Sequence, residues 1–161
     1  APLAKMGDIY PTNVSPVLLA RGGKRELELL TWGFTGFRGK GLIINARAET
    51  AAEKPMFRRC LDATRCVIPS SGFYEWDRRK QKYRFYRREP VGTYMAGLYT
   101  VSGGAERYVI LTTTANPSVA DIHDRMPVII EREEIDGWLF DHTKADVILR
   151  RTPPLLERVT V

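Results

Sequence analysis

Thirteen glycines and ten prolines fall mostly singly between short apolar segments, and this punctuation constrains the fold of the 161-residue chain more than any other feature. Each Pro removes a backbone donor and each interior Gly weakens a regular element, so few long helices fit between them. The segments themselves are rich in β-branched and aromatic residues, which pack well on a pleated, half-buried surface. Strands are predicted at Val17 to Ala20, Glu26 to Leu30, Leu42 to Asn45, Cys66 to Ile68, Phe73 to Asp77, Tyr83 to Arg87, Tyr94 to Tyr99, Tyr108 to Thr113, Met126 to Ile130 and Arg158 to Val161. Thr50-Ala-Ala-Glu53 has the form of a capping box and predicts a helix through Arg59. Pro117 to Ile122, with Asn116 as N-cap, and Arg132 to Phe140 are the other predicted helices. The expected class is α+β: mostly antiparallel sheet with a few short helices, in one domain spanning residues 1–161.

Composition excludes more than it assigns. Hydrophobic residues make up 43% and charged residues 27%, the balance of a globular chain rather than a disordered one. The longest apolar runs, such as Val109 to Leu111, are far short of the roughly 20 residues a spanning helix needs. The opening residues Ala1 to Gly7 have no apolar export core, so the chain is read as cytoplasmic, associated with the bacterial nucleoid when bound to DNA, and with no membrane partner. Cys60 and Cys66 lack companions at metal-ligand spacing and are expected to be reduced core residues. A net charge of +6 permits a polyanionic partner without requiring one.

Two features carry chemistry. Arg78-Arg79-Lys80-Gln81-Lys82 places four cations in five residues beside Tyr83, Phe85 and Tyr86; this suits single-stranded nucleic acid, but taken alone a solvated hairpin edge is the favoured reading. Polar residues also gather on three otherwise apolar segments, around Asn45-Ala-Arg47, Phe73-Tyr-Glu75-Trp76 and His123-Asp-Arg125. Strand alternation puts Glu75 on the face of Phe73, in apolar company that raises a carboxyl pKa. Taken singly, Asn45 could cap a turn, Glu75 could pair with Arg47, and His123 could be a satisfied histidine at a helix end. Together they describe an acid/base pair with arginines able to clamp an anion.

These segments closely resemble the SOS response-associated peptidase (SRAP) family. The resemblance runs in order through Gly7-Asp-Ile-Tyr-Pro-Thr-Asn13, Thr31-Trp-Gly-Phe34, Asn45-Ala-Arg-Ala-Glu-Thr50, Arg65-Cys-Val-Ile-Pro-Ser-Ser-Gly-Phe-Tyr-Glu-Trp76, Ala96-Gly-Leu-Tyr99, Leu111-Thr-Thr113 and Ile122-His-Asp-Arg-Met-Pro127. It implies a barrel-like fold and a protein that binds single-stranded DNA and captures abasic sites covalently, shielding the lesion during the DNA damage response. In the family an N-terminal cysteine exposed by removal of the initiator Met closes a thiazolidine ring on the ring-opened sugar. An α-amine of pKa about 7.7–8.0 is partly neutral at physiological pH and can form the Schiff base that the thiol then closes.

By the same resemblance Asn45, Glu75 and His123 are the catalytic residues: Asn45 orients the cysteine and the lesion, Glu75 moves protons during imine formation, and His123 assists opening of the sugar ring. Arg47, Arg125, Trp32, Trp76, Thr112 and Pro11 are the DNA-binding residues. Trp32 is as readily read as core packing, and Trp138 is read as helix core. No metal or nucleotide cofactor is implied, and a monomer is expected. The family's opening Met-Cys-Gly-Arg is not found ahead of Ala1, so the domain is expected to lack the segment bearing the nucleophile. Alternatives are a thiol peptidase, in its modest form acting on its own N-terminus, a strand-incising lyase side reaction through the imine, and a non-covalent single-strand binder.

Overall fold

The computed structural model describes residues 4–88 and 91–161, so Ala1 lies outside the described residues. The chain begins with a long hairpin, β1 (Val14–Arg21) and β2 (Lys24–Trp32), turned at Gly22 and Gly23. Both glycines have positive φ, 58° and 75°, as a tight two-residue hairpin turn requires. β3 (Phe34–Thr35) pairs with β4 (Leu42–Ile43), and β5 (Asn45–Arg47) leads through a short 3-10 turn into α1 (Pro55–Ala63). Then follow β6 (Arg65–Ser70), β7 (Phe73–Trp76), β8 (Lys82–Tyr86), β9 (Thr93–Ser102), β10 (Ala105–Thr114), β11 (Arg125–Pro127) and β12 (Ile129–Ile130). Helices α2 (Ile135–Phe140) and α3 (His142–Arg150) precede β13 (Glu157–Thr160).

Five strands close into a barrel in the order β10-β2-β1-β6-β9, because β9 also pairs with β10. All neighbours are antiparallel except β2 and β10, which are parallel, as are β5 and β10. Alternate residues of the strands feed two separate apolar clusters. Val67, Ala96, Leu98, Val109 and Leu111 join Phe57 of α1 and Trp138 of α2 in one. Their strand neighbours Cys66, Ile68, Met95, Tyr108 and Ile110 form the other. A strand with both faces buried reads as a continuous apolar run, which is why these segments are legible without clear alternation. The Trp138 indole N–H donates to Cys66 O at 2.8 Å and fixes α2 on the barrel.

A second sheet, β13-β8-β7, turns one face toward the latter cluster: Phe85 is fully buried and Phe73 stacks on it at 5.4 Å. Gly72 starts β7 with φ 134°, and a Cβ there would stand 2.2 Å from Phe85 O, so this approach of the two strands requires glycine. Among the described residues no helix is long and apolar enough to cross a membrane.

The expected α+β class holds, with local corrections. Thr50 makes no side-chain cap, the Ala51–Glu53 stretch is 3-10, and α1 starts only at Pro55, where Pro suits the first helical turn. The true capping box is formed by Glu131 and Glu134 ahead of α2. Residues 117–122 form successive turns rather than a helix, although the Asn116 side chain does accept from Ser118 N at 3.0 Å. Leu42 to Asn45 and Met126 to Ile130 each split between two partners, β4 from β5 and β11 from β12.

Candidate functional site

A cavity of about 490 Å³ opens where β5, β7, the end of β10 and the start of β11 converge on the segment Gly7–Pro11. That size falls in the range of small-molecule sites, about 300–1,000 Å³. Its inner wall is apolar, with Pro16, Ile68, Met95, Ile110 and Met126. The Ser15 and Tyr108 hydroxyls, 2.7 Å apart, satisfy each other within this wall. Burial pushes the Tyr108 phenol up to about 12, so it stays a neutral hydrogen-bonding group.

The polar residues sit together along the cavity. Glu75 reaches it from β7 and His123 from the turn before β11, with Glu75 Oε2 3.4 Å from His123 Nδ1. Pairing of Glu75 with Arg47, one of the open readings, is therefore not what the fold provides. The same His123 nitrogen lies 3.1 Å from the Arg125 amide, which can donate to it when it carries no proton. When Nδ1 carries a proton it can give it toward Glu75. Burial pushes the Glu75 carboxyl above its ordinary range, the His123 charge opposes this, and Asp124 adds to it. A carboxyl poised in this way beside an imidazole can take and return a proton. Asn45 lines the same cavity, in register with Ile110 of β10.

Arg125 lines the cavity too, but its guanidinium is not free. Both terminal nitrogens bond the Glu49 carboxylate, and Nη2 also donates to Thr112 O at 3.0 Å and Thr112 Oγ1 at 3.2 Å. That pairing holds the Glu49 carboxyl below its ordinary value. The Arg125 guanidinium is thus held in a fixed orientation, its charge met by a carboxylate that the sequence gives no means of linking to it. Arg47 shares the strand face of Asn45 and pairs in register with Thr112, yet its exposed side chain lies outside the residues lining the cavity.

Trp32 forms part of the wall, stacked parallel to Tyr108 at 6.3 Å, with its indole N–H donating to Ile44 O at 3.1 Å. It is therefore both packing and lining. Trp76, at 48% exposure, stands at the mouth. Thr112 and Pro11 also line the cavity. Sequence reasoning missed Glu49, the Ser15–Tyr108 pair, and Tyr74, whose hydroxyl donates to Asp8 Oδ1 at 3.0 Å and ties β7 to the N-terminal segment. Tyr74 and Asp8 lie within quoted motifs, whereas Ser15 and Tyr108 leave no signal beyond polar groups in apolar strands. Cys60 and Cys66 are buried free thiols that do not line the cavity, as expected of core residues.

Fold and site together define a helix-flanked β-barrel domain with a carboxylate–imidazole pair on an open, partly aromatic cavity. The chain belongs to the SOS response associated peptidase (SRAP) family, whose model matches residues 2–158. It is 37% identical over 153 residues to the abasic site processing protein YoaM of Bacillus subtilis, covering 83% of this chain and 67% of that protein. To the abasic site processing protein YedK of Escherichia coli it is 31% identical over 140 residues, covering 79% and 63%. A crystal structure of a protein from Bacteroides thetaiotaomicron matches with a TM-score of 0.77 at 25% identity, over 93% of this chain and 74% of that one. A phage-related protein of Bordetella bronchiseptica matches with a TM-score of 0.79 at 24% identity, over 95% and 80%, which speaks for the fold.

Proposed function

We propose that this domain processes abasic sites by binding single-stranded DNA and capturing the baseless sugar covalently. The observation that carries the reading is the Glu75–His123 pair, 3.4 Å apart along a cavity that Asn45 also lines. Membership in the SRAP family and relatives named abasic site processing proteins support it. The nucleophile in this proposal is a cysteine at the mature N-terminus of the full-length protein. Its amine adds to the sugar aldehyde, water leaves to give an imine, and the thiol adds to the imine carbon to close a thiazolidine. Glu75 in its protonated form supplies the proton to the departing hydroxyl, and His123 serves the opening of the sugar ring.

Neither internal cysteine can take that role, since both nitrogens are in peptide bonds and burial pushes both thiols up. Asn45 orients the reacting groups, Arg125 takes a phosphate in exchange for its Glu49 partner, and the exposed Arg47 meets the backbone outside the cavity. Trp76, Trp32, Thr112 and Pro11 contact the strand around the lesion. The test incubates full-length protein with a single-stranded oligonucleotide carrying one abasic site. A band that survives denaturation, absent with the intact strand, is expected. Reversible binding of equal strength to both strands, with no such band, would overturn the covalent reading in favour of a non-covalent single-strand binder.

A further inference from the structure

Cations and aromatic rings alternate on the outward face of the β7–β8 hairpin. Register sets Trp76 opposite Lys82 and Tyr74 opposite Arg84. Lys82 Nζ stands 4.0 Å from the Tyr74 ring centre and 5.6 Å from that of Trp76. The core does not need these rings, because Phe73 and Phe85 fill the inward face.

Beyond Trp76 the turn is fixed by Asp77, whose Oδ1 accepts from the backbone of Arg79 and of Gln81, both at 2.9 Å. Arg78, Arg79 and Lys80 are left exposed at its tip. Among the described residues no ion pair engages Arg78, Arg79, Lys80 or Lys82, whereas Arg25, Arg87 and Arg158 each hold a carboxylate. Such a cluster of unpaired cations, next to upward-facing rings, is complementary to a chain that is both polyanionic and rich in π faces.

Continuity sets where that chain comes from. Tyr74 and Trp76 belong both to this face and to the cavity lining. Charge sets where it goes: at the other end of the face Glu157 stands opposite Tyr86 across the β8–β13 register, which repels a phosphate backbone.

We infer that a single-stranded flank of the DNA leaves the cavity across Tyr74, Trp76 and Lys82 and ends on the cationic turn Arg78 to Lys80. This rests on the function proposed above and adds a strand path to it. The path makes affinity depend on strand length beyond the lesion, which lesion chemistry alone does not.

The experiment compares wild-type full-length protein with an Arg78→Ala/Arg79→Ala/Lys82→Gln variant on abasic oligonucleotides of about 5 and about 15 nucleotides, by fluorescence anisotropy over a salt series. Wild type is expected to bind the longer strand at least about 10-fold more tightly. The variant should lose that advantage, and its salt slope on the longer strand should fall by about 2 for three lost cations. Its affinity and crosslinking rate on the short strand should be unchanged, which also reports an intact fold. Glu157→Gln should leave the length advantage in place.

A variant that keeps the full advantage, or loses affinity equally on both lengths, overturns the path. So does a duplex that binds as tightly as the single strand and loses as much, since a duplex hides its base faces from Tyr74 and Trp76. Failure of the lesion chemistry is separable. It would show as no crosslink by wild type, while the length advantage and its loss in the variant would still be measured on intact strands.

Discussion

Replacing Glu75 by Gln keeps the shape of the side chain and removes its charge. Burial holds the Glu75 carboxyl above the ordinary value of 4.5, so the ionised form costs stability in the folded state. That cost is absent at pH below 4.5 and grows as the pH rises through the folded-state pKa, because the folded chain then gives up a proton it would otherwise retain. Glu75→Gln is therefore expected to resist urea better than wild type at about pH 7, and the difference should shrink toward zero at about pH 4. Equal midpoints for the two proteins at neutral pH would mean that the site stores no such cost. The Glu49–Arg125 pair titrates in the opposite sense: Glu49 is lowered, so its contribution is present above 4.5 and lost as the pH falls. Subtracting wild type from the variant at each pH removes that background. Glu75, His123 and Asn45 were legible as costly polar residues on apolar segments. The Glu49 partner of Arg125 was not, because the two are 76 positions apart and meet only through the pairing of β5 and β11 with the same strand, β10.

The site depends on where β7 sits, and β7 depends on Gly72. A Cβ at that position meets Phe85 O at 2.2 Å, in a backbone conformation with φ 134° that side chains rarely adopt. Gly72→Ala should force β7 and β8 apart and cost roughly 1–3 kcal/mol from backbone strain. Chemical denaturation would read the loss, and unchanged stability would show that the strand pair has slack. The short strands could be read from sequence because their residues feed two apolar clusters and leave little polar interruption. Helix ends were harder. Thr50-Ala-Ala-Glu53 has the letters of a capping box without its hydrogen bonds, whereas Glu131 and Glu134 make them with a carboxylate at the cap. Helix α3 was missed although Asp141 caps it through Thr143 N and Lys144 N, since its apolar residues are few and its exposed face is long.

The fold assembles a site from segments that are distant in sequence: Asn45 from β5, Glu75 from β7, and His123 from the turn before β11. The Glu75–His123 pair lies along the cavity and the inner wall is apolar, so in the proposed function a sugar meets the acid/base pair while the aromatic mouth and the basic hairpin remain available to its flanks. The order of the polar segments along the chain, and the expectation that they share one site, came from the sequence. The strand pairings that position them did not, among them the parallel pairing of β10 with β5 and β2. In the proposed function Glu75 moves protons for covalent capture rather than holding the strand. The direct test is a single-turnover crosslinking rate with a saturating abasic single strand, wild type against Glu75→Gln. The rate should fall by about 10²–10⁴-fold while affinity for an intact strand is unchanged. A Glu75→Gln protein that crosslinks at the wild-type rate, or whose slower rate is matched by weaker binding alone, would contradict the account.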